Sequence, residues 1–528
     1  MSQIDVIRES IRYEQLLREG IVNQPIKGEH LLRDSQYPDM KDVLGIDVKA
    51  TVTNKEVVGD KVMVEGNLNY IVFYTSKEGE EDEDNTNNKI HEVVFEDKFS
   101  NYLELNNDEH NIMCCIDCDV EHIEAEWMNE RKVGISGLLI LRWEIYKIGE
   151  FEYVKDIEGK DDIQVKKENE ELNSIKADKD IDFMGKSMLK VPMDKSEIEE
   201  VLKCDMNLHK KEVKIIDGKV YIECYCKICI LYVGSENQEL QTIEDDVYLS
   251  KEEELPGVSS DMRSFIDIMV VEEQHSVNLD EDDMSRNVDI EFVVKGNIKV
   301  YSNEKIEILE DAYSPTMNID LAKDNKEFSL IHSIVNSEVI AKETFDIENK
   351  DERVEEVVAI SGYPVINDKV IDNDRLSLEG VVKTNMIYRV AGDELKYGVL
   401  NANIPFNTTV DVKGLRDSMS VIVKPYLENI DTTTGGNTIS ARANVGLNIK
   451  SYYKIDKSYI KDIIEGEEEK LEKKASVTIY VVGEGETLWD LAKKYKTTVA
   501  ELERLNDIDE EEEIKSGCRL IIPGRAIF

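Results

Sequence analysis

Lys61-Val-Met-Val-Glu65-Gly-Asn-Leu68 returns further along the chain as Lys219-Val-Tyr-Ile-Glu223-Cys-Tyr-Cys226, and again as Arg375-Leu-Ser-Leu-Glu379-Gly-Val-Val382. Each copy opens on a basic residue, alternates apolar with other side chains, and carries glutamate at its fifth place. Nine residues after each glutamate stands a tyrosine, at Tyr74, Tyr232 and Tyr388. Twenty-two residues before it stands an apolar pair, at Val43-Leu44, Val201-Leu202 and Val357-Val358. No gap interrupts the match. Self-similarity of this kind marks a repeat protein, in which one supersecondary unit is used several times.

The back half of each unit corresponds more loosely. Apolar runs at 112–120, 265–271 and 419–423 are each followed by a second run ending in tyrosine, at 133–146, 288–301 and 439–452. β-Branched and aromatic residues alternate with polar ones throughout these runs, which is the strand signature. The expected fold is therefore multidomain, with three mostly antiparallel β repeats over 30–150, 185–318 and 340–462. Each is expected to be a sandwich or partly open barrel with one short helix, the acidic lead-ins at 196–200 and 351–356 favouring that helix. The acidic stretch 78–88 reads as an exposed loop. Ile4, Ile7 and Ile11 stand at helical spacing before Gly20, so 1–29 reads as an N-terminal helix packed on the first repeat or offered to a partner. The charged segments 151–184 and 463–476 read as linkers.

The charge balance narrows the function. With 112 acidic against 65 basic residues the formal net charge is −47. Nucleic acid and anionic lipid both need Lys and Arg to displace counterions, so neither is expected as a partner. The first ten residues hold acids and no apolar core segment, and the longest apolar stretches fall far short of the ~20 residues that cross a bilayer. A cytosolic protein with no direct membrane insertion is expected. Eight cysteines in so long a chain fit a reducing compartment. Cys114 and Cys118 share a strand face with Ile116, and Cys224 shares one with Cys226 while Cys229 lies opposite. These clusters lack the turn residues of a zinc site, so they read as core packing, with no metal and no cofactor.

From Tyr480 the chain runs Tyr-Val-Val-Gly-Glu-Gly-Glu-Thr-Leu-Trp-Asp-Leu-Ala-Lys-Lys-Tyr, then Thr498, Leu502, Leu505-Asn506 and Ile522-Pro523. A strand leads through Gly483 and Gly485 into a helix capped by Thr487 with Asp490 three places on. A second helix is capped by Thr498, with Glu501 in the same place and Asn506 suited to a left-handed exit. A closing strand follows. This βααβ order strongly resembles the LysM domain, expected over 477–528. Gly483 and Gly485 also begin a dinucleotide fingerprint, but Leu488 stands where its third glycine belongs.

LysM domains are small binding modules, commonly for N-acetylglucosamine-containing glycans. The resemblance implies a groove formed by Gly485, Glu486, Thr487 and Trp489 on one side, with Asn506, Asp507 and Ile508 on the other. The following run of acids, 509–513, departs from the family pattern and favours a basic protein surface over a neutral sugar.

Three β repeats before one LysM resemble the SPOCS-domain proteins of endospore-forming bacteria, with Ile404-Pro405-Phe406 matching an apolar-Pro-Phe element that the first two copies lack. The resemblance implies a nonenzymatic spore coat adaptor in the mother-cell cytoplasm, at the forespore surface. Its LysM domain would dock to the coat morphogenetic ATPase, stage IV sporulation protein A, while the repeats would serve as scaffold, self-association surface or contact for other coat proteins. The alternative is a peptidoglycan- or N-acetylglucosamine-binding protein of wall or cortex. A hydrolase is the weakest reading, because the seven histidines stand apart and no nucleophile motif or paired carboxylate emerges.

Overall fold

Alternation governs the repeats. In the first motif Val62, Val64, Leu68, Tyr70, Val72 and Tyr74 are buried; in the second so are Val220, Ile222, Cys224, Cys226 and Tyr232. The intervening residues, the repeated glutamate among them, lie on the other face, where Phe73 and Leu231 are buried between repeats and most of the rest are half-buried. The computed structural model describes residues 4–33, 37–76, 90–105, 112–159, 162–236, 238–347, 352–392, 395–468, 477–508 and 514–523.

The first repeat comprises β1 (Asp5–Leu31), β2 (Met40–Val58), β3 (Lys61–Ser76), β4 (Ile90–Glu104), β5 (Ile112–Asn129) and β6 (Lys132–Glu158). The second comprises β7 (Gln164–Lys190), β8 (Ile198–Ile216), β9 (Lys219–Gly234), β10 (Leu240–Glu254), β11 (Arg263–Leu279) and β12 (Ser285–Tyr313). The third comprises β13 (Met317–Asp346), β14 (Val354–Asp372), β15 (Arg375–Val390), β16 (Tyr397–Asp411), β17 (Ser420–Gly435) and β18 (Thr438–Glu468). Each repeat forms two three-stranded antiparallel sheets, ordered β1-β6-β5 and β2-β3-β4 in the first and likewise in the others. Their facing residues make one core per repeat. Gly66 lies under the Phe99 ring and Gly380 under the Phe406 ring, so neither position has room for a Cβ. The Pro-Phe element of the third copy thus supplies the ring that covers a strand glycine.

The strands β1/β6, β7/β12 and β13/β18 run on past the sandwiches as three long hairpins, which pack together through clusters drawing on all three repeats. Ile11, Tyr13, Phe151 and Tyr153 meet Leu172, Ile306 and Ile308, and these meet Phe328 and Leu330. The three equivalent tyrosines, Tyr146, Tyr301 and Tyr452, which lie within β6, β12 and β18, converge in another cluster.

Polar residues at equivalent places sit inside this pseudo-threefold assembly. Asp47, Asp205 and Ser361 hold the same register place, each opposite the residue three before the motif tyrosine. Lys203 Nζ reaches all three, at 2.5, 2.7 and 3.2 Å. Asp117, Asp267 and Lys424 are likewise equivalent, and the lysine ion-pairs with both aspartates at 3.6 and 2.9 Å. Glu14 accepts from Lys299, from Lys450 at 3.2 Å, and from the hydroxyls of Tyr301 and Tyr452 at 3.0 and 2.9 Å. The ion at the centre of each layer thus comes from a different repeat: Lys203 from the second, Lys424 from the third and Glu14 from the first.

Several expectations are corrected. Residues Asp5–Leu31 form a strand, not a helix, because β6 extends far enough to pair with all of it and the alternating Ile11, Tyr13 and Leu16 bury against neighbouring repeats. Tertiary pairing overrides local spacing. The charged segment 151–184 is no linker: it completes β6 and most of β7, with Leu172, Ile175 and Ile181 buried. Its charges pair across the hairpins, as Lys167 with Asp156 at 2.7 Å and Lys176 with Glu304 at 2.5 Å. Residues 463–468 of the second expected linker belong to β18. The short helix expected in each repeat is absent among the described residues, since the acidic lead-ins run into β8 and β14. The stretches 78–88 and 509–513 lie outside the described residues. Cys114, Ile116, Cys118, Cys224 and Cys226 pack in or against the repeat cores as the alternation predicts.

Candidate docking site on the C-terminal module

The chain ends in β19 (Val477–Val481), α1 (Leu488–Lys494), α2 (Val499–Asn506) and β20 (Arg519–Pro523), with the two strands antiparallel. Thr487 caps α1: its hydroxyl accepts from Asp490 N at 3.2 Å, and Asp490 accepts from Thr487 N at 3.0 Å. The capping hydrogen bonds hold Asp490 below the usual carboxylate range. Thr498 caps α2 through Glu501 N at 3.1 Å, but the Glu501 carboxylate turns to Thr497 instead of closing a box. The left-handed exit falls on Asp507, with φ +51°, one residue later than expected.

Asn506 is the last helical residue, and its side chain ties α2 to β20. Its amide donates to Leu502 O and Ile521 O, both at 2.8 Å, while its oxygen accepts from Ile521 N at 2.6 Å. Glu486 closes the entry turn by accepting from Gly483 N and the Tyr480 hydroxyl, both at 2.8 Å. Those bonds lower its pKa. Gly485 takes the left-handed φ of +79° that the turn requires.

Trp489 turns toward the repeats. Its indole N–H donates to Asp311 at 2.9 Å, near the end of β12, and its ring meets Tyr313 edge-on at 4.9 Å. Lys493 reaches both Asp311 oxygens at 2.6 and 2.7 Å. The buried Tyr313 hydroxyl donates to Thr497 O at 2.9 Å. Burial works against the Asp311 carboxylate, yet the bonds from Lys493 and Trp489 outweigh it and hold the pKa down.

The predicted groove residues thus divide. Gly485, Thr487 and Asp507 remain exposed. Glu486 and Asn506 spend their polar atoms inside the module, and Ile508 packs on its core together with Trp489 and Tyr313. Among the described residues no hydrogen bond links the 485–487 side to 506–507. Sequence reasoning missed Asp311 and Tyr313. Their only signal was an acid and an aromatic at i and i+2 closing the second repeat.

The thiols within the repeats offer little chemistry, whereas Cys518 is exposed. Burial pushes Cys224 up to about 11, and Cys114, Cys118, Cys226 and Cys229 to about 12. No group of three or more His, Cys, Asp or Glu among the described residues is arranged to hold a metal ion. No helix among them is long and apolar enough to cross a membrane.

A family model described as SipL, SPOCS domain matches residues 39–128, 197–279 and 353–434, and one described as LysM domain matches 480–523. Each SPOCS match covers the four inner strands of a repeat, and the long outer strands lie outside it. Both families are binding domains, not catalytic ones. Comparison with curated proteins finds no match, and neither does comparison with solved structures.

Proposed function

We infer that this chain, which belongs to the SipL, SPOCS domain family and is a spore-associated protein with a peptidoglycan-binding-type module, works as a nonenzymatic coat-assembly adaptor. In this reading the three repeats form a rigid scaffold, and the LysM domain docks the coat morphogenetic ATPase, stage IV sporulation protein A, at the forespore surface. The supporting observation is the seat of the LysM domain. Asp311 and Tyr313 hold Trp489, Lys493 and Thr497, so the module is presented in one orientation at the end of the hairpins. Fixed presentation lowers the entropy lost on binding, which is what an adaptor needs.

The test is retention of purified stage IV sporulation protein A by the full chain, compared with retention of the full chain on purified peptidoglycan. Binding of the ATPase that weakens in Asp507→Asn, at the exposed edge of the groove, supports the reading. Loss of ATPase retention in the unmodified chain overturns it. Tight peptidoglycan binding in its place would favour the glycan-binding alternative.

A further inference from the structure

The three repeats close on one another through equivalent seams, and two of the three are bonded shut. In each seam, β5, β11 or β17 bulges after Val120, Val270 or Leu427 and faces the sheet of a neighbouring repeat. Where β5 meets the third repeat, Lys383 donates to Val120 O at 3.2 Å and to the Glu121 carboxylate at 2.8 Å, and Tyr363 donates to Val120 O. Where β17 meets the second repeat, Asn207 donates to Leu427 O at 2.7 Å and Lys210 N to Glu428 at 3.0 Å.

The seam between the first repeat's β2-β3-β4 sheet and β11 is different. Register places Asn69 where the closed seam has Lys383, and Val271 where the others have Glu121 and Glu428. Among the described residues no hydrogen bond or ion pair joins that sheet to β11. A cavity of about 1900 Å³ between the repeats reaches all three seams, and at this one no bond crosses it among the described residues. Val94, Met269 and Val271 line it at 53, 54 and 37 % exposure. Two carboxylates also line it, Glu92 and Glu273, and among the described residues neither makes an ion pair. Burial, with Glu200 nearby, pushes Glu92 up to about 7, and burial raises Glu273 against the pull of Lys49 and His275.

We propose that this seam is a docking cleft for an extended segment of a partner protein that alternates apolar with basic side chains. The apolar residues cover Val94, Met269 and Val271, and the bases supply the direct ion pairs that Glu92 and Glu273 do not make among the described residues. The β5 seam shows the chemistry in miniature, since the Lys383 ammonium there meets the Glu121 carboxylate beside the bulge carbonyl of Val120. A second copy of this chain is disfavoured as occupant by the net charge of −47 that both copies would carry. The cleft is separate from the LysM domain and does not rest on the reading given for it.

The experiment uses the full chain and a fluorescent synthetic peptide alternating lysine and valine, followed by anisotropy at physiological salt. A lysine–serine peptide controls for charge alone. Saturable binding to the lysine–valine peptide is expected, weakened about tenfold or more by Glu92→Gln with Glu273→Gln. Asn69→Lys with Val271→Glu installs the pair found at Lys383–Glu121 and should abolish binding while leaving the unfolding midpoint unchanged or raised. If that variant fails to fold, Val94→Arg, at an exposed position, is expected to abolish binding in its place. The proposal is overturned if no peptide binds, if the lysine–serine peptide binds equally well, or if the folded seam variants bind like the original chain. Self-association by sedimentation that the seam variants abolish would also overturn it.

Discussion

Glu14 of the first repeat and Lys450 of the third lie 3.2 Å apart, their side chains 0 and 3 % exposed. Lys299 of the second repeat completes the cluster. Burying three charges costs several kcal/mol per ion, and the attraction repays it only when every partner is in place. The positions equivalent to Lys299 and Lys450 include Glu144, two residues before Tyr146 as they stand before Tyr301 and Tyr452. One repeat therefore differs in sign from the other two at this level. The cluster favours the order in which the three non-identical repeats assemble, much as a buried polar residue fixes register in a coiled coil.

Glu14→Gln is accordingly expected to destabilise the assembled repeats by about 3–5 kcal/mol, since it leaves two ammonium groups buried together. Glu14→Leu combined with Lys299→Met and Lys450→Met removes every member and should recover most of that loss. Chemical denaturation followed by circular dichroism distinguishes the cases. Equal destabilisation by both variants would mean that packing volume matters here and charge does not.

The same residue predicts an acid limit. Burial raises the Glu14 carboxyl, but Lys450, Lys299 and the tyrosines overcome that and lower it from 4.5 to about 2. A depressed acid contributes stability that is complete above its unfolded value and is lost as pH falls through the folded one. Stability should therefore fall between about pH 4.5 and 2, and less steeply in the triple apolar variant. Glu92 acts in the opposite sense. With its pKa raised to about 7, it costs stability as pH rises from its unfolded value toward 7, a slope that Glu92→Gln should remove from a melting-temperature profile.

Gly380 supports a packing prediction. A Cβ there would meet the Phe406 ring, so Gly380→Ala should cost about 1–3 kcal/mol by overpacking. The second repeat solves the same place with Cys224 opposite Leu249. Gly380→Ala with Phe406→Leu should thus be milder than the single change, as read by urea midpoints. Additive effects would show that the two residues do not share one packing site.

Much of this architecture was legible in sequence because repeats expose their own periodicity. The spacing from Glu65 to Tyr74 and its two copies identified β3, β9 and β15, the central strands of their sheets, each buried by simple alternation. What stayed hidden depends on contact between repeats. Asp5–Leu31 reads as a helix until β6 is seen to extend beside it, and the charges of 151–184 read as solvated until they are paired across two hairpins. The LysM module was readable residue by residue, since caps such as Thr487 act locally. Its seat was not, because Asp311 and Trp489 are joined only by the fold, and nothing in either neighbourhood names the other.

That seat yields the last prediction. Asp311 accepts from the Trp489 indole and also holds Lys493, and hydrogen bonds to a charged group are each worth about 1.5–3 kcal/mol. Asp311→Ala should therefore loosen the LysM domain from the hairpins without unfolding its core, where Leu491, Ala492 and Leu502 are fully buried. Tryptophan emission is expected to shift to longer wavelength as Trp489 gains solvent, with the signal of Trp127 and Trp143 removed by Phe replacements in both chains. Hydrogen exchange should quicken at Thr497 and in α1 but not in β15. Asp311→Glu, which keeps the charge, should recover part of the effect. An unchanged spectrum and unchanged exchange in Asp311→Ala would mean that the Tyr313 ring and its bond to Thr497 O hold the module by themselves, and Tyr313→Ala would then be the change that frees it.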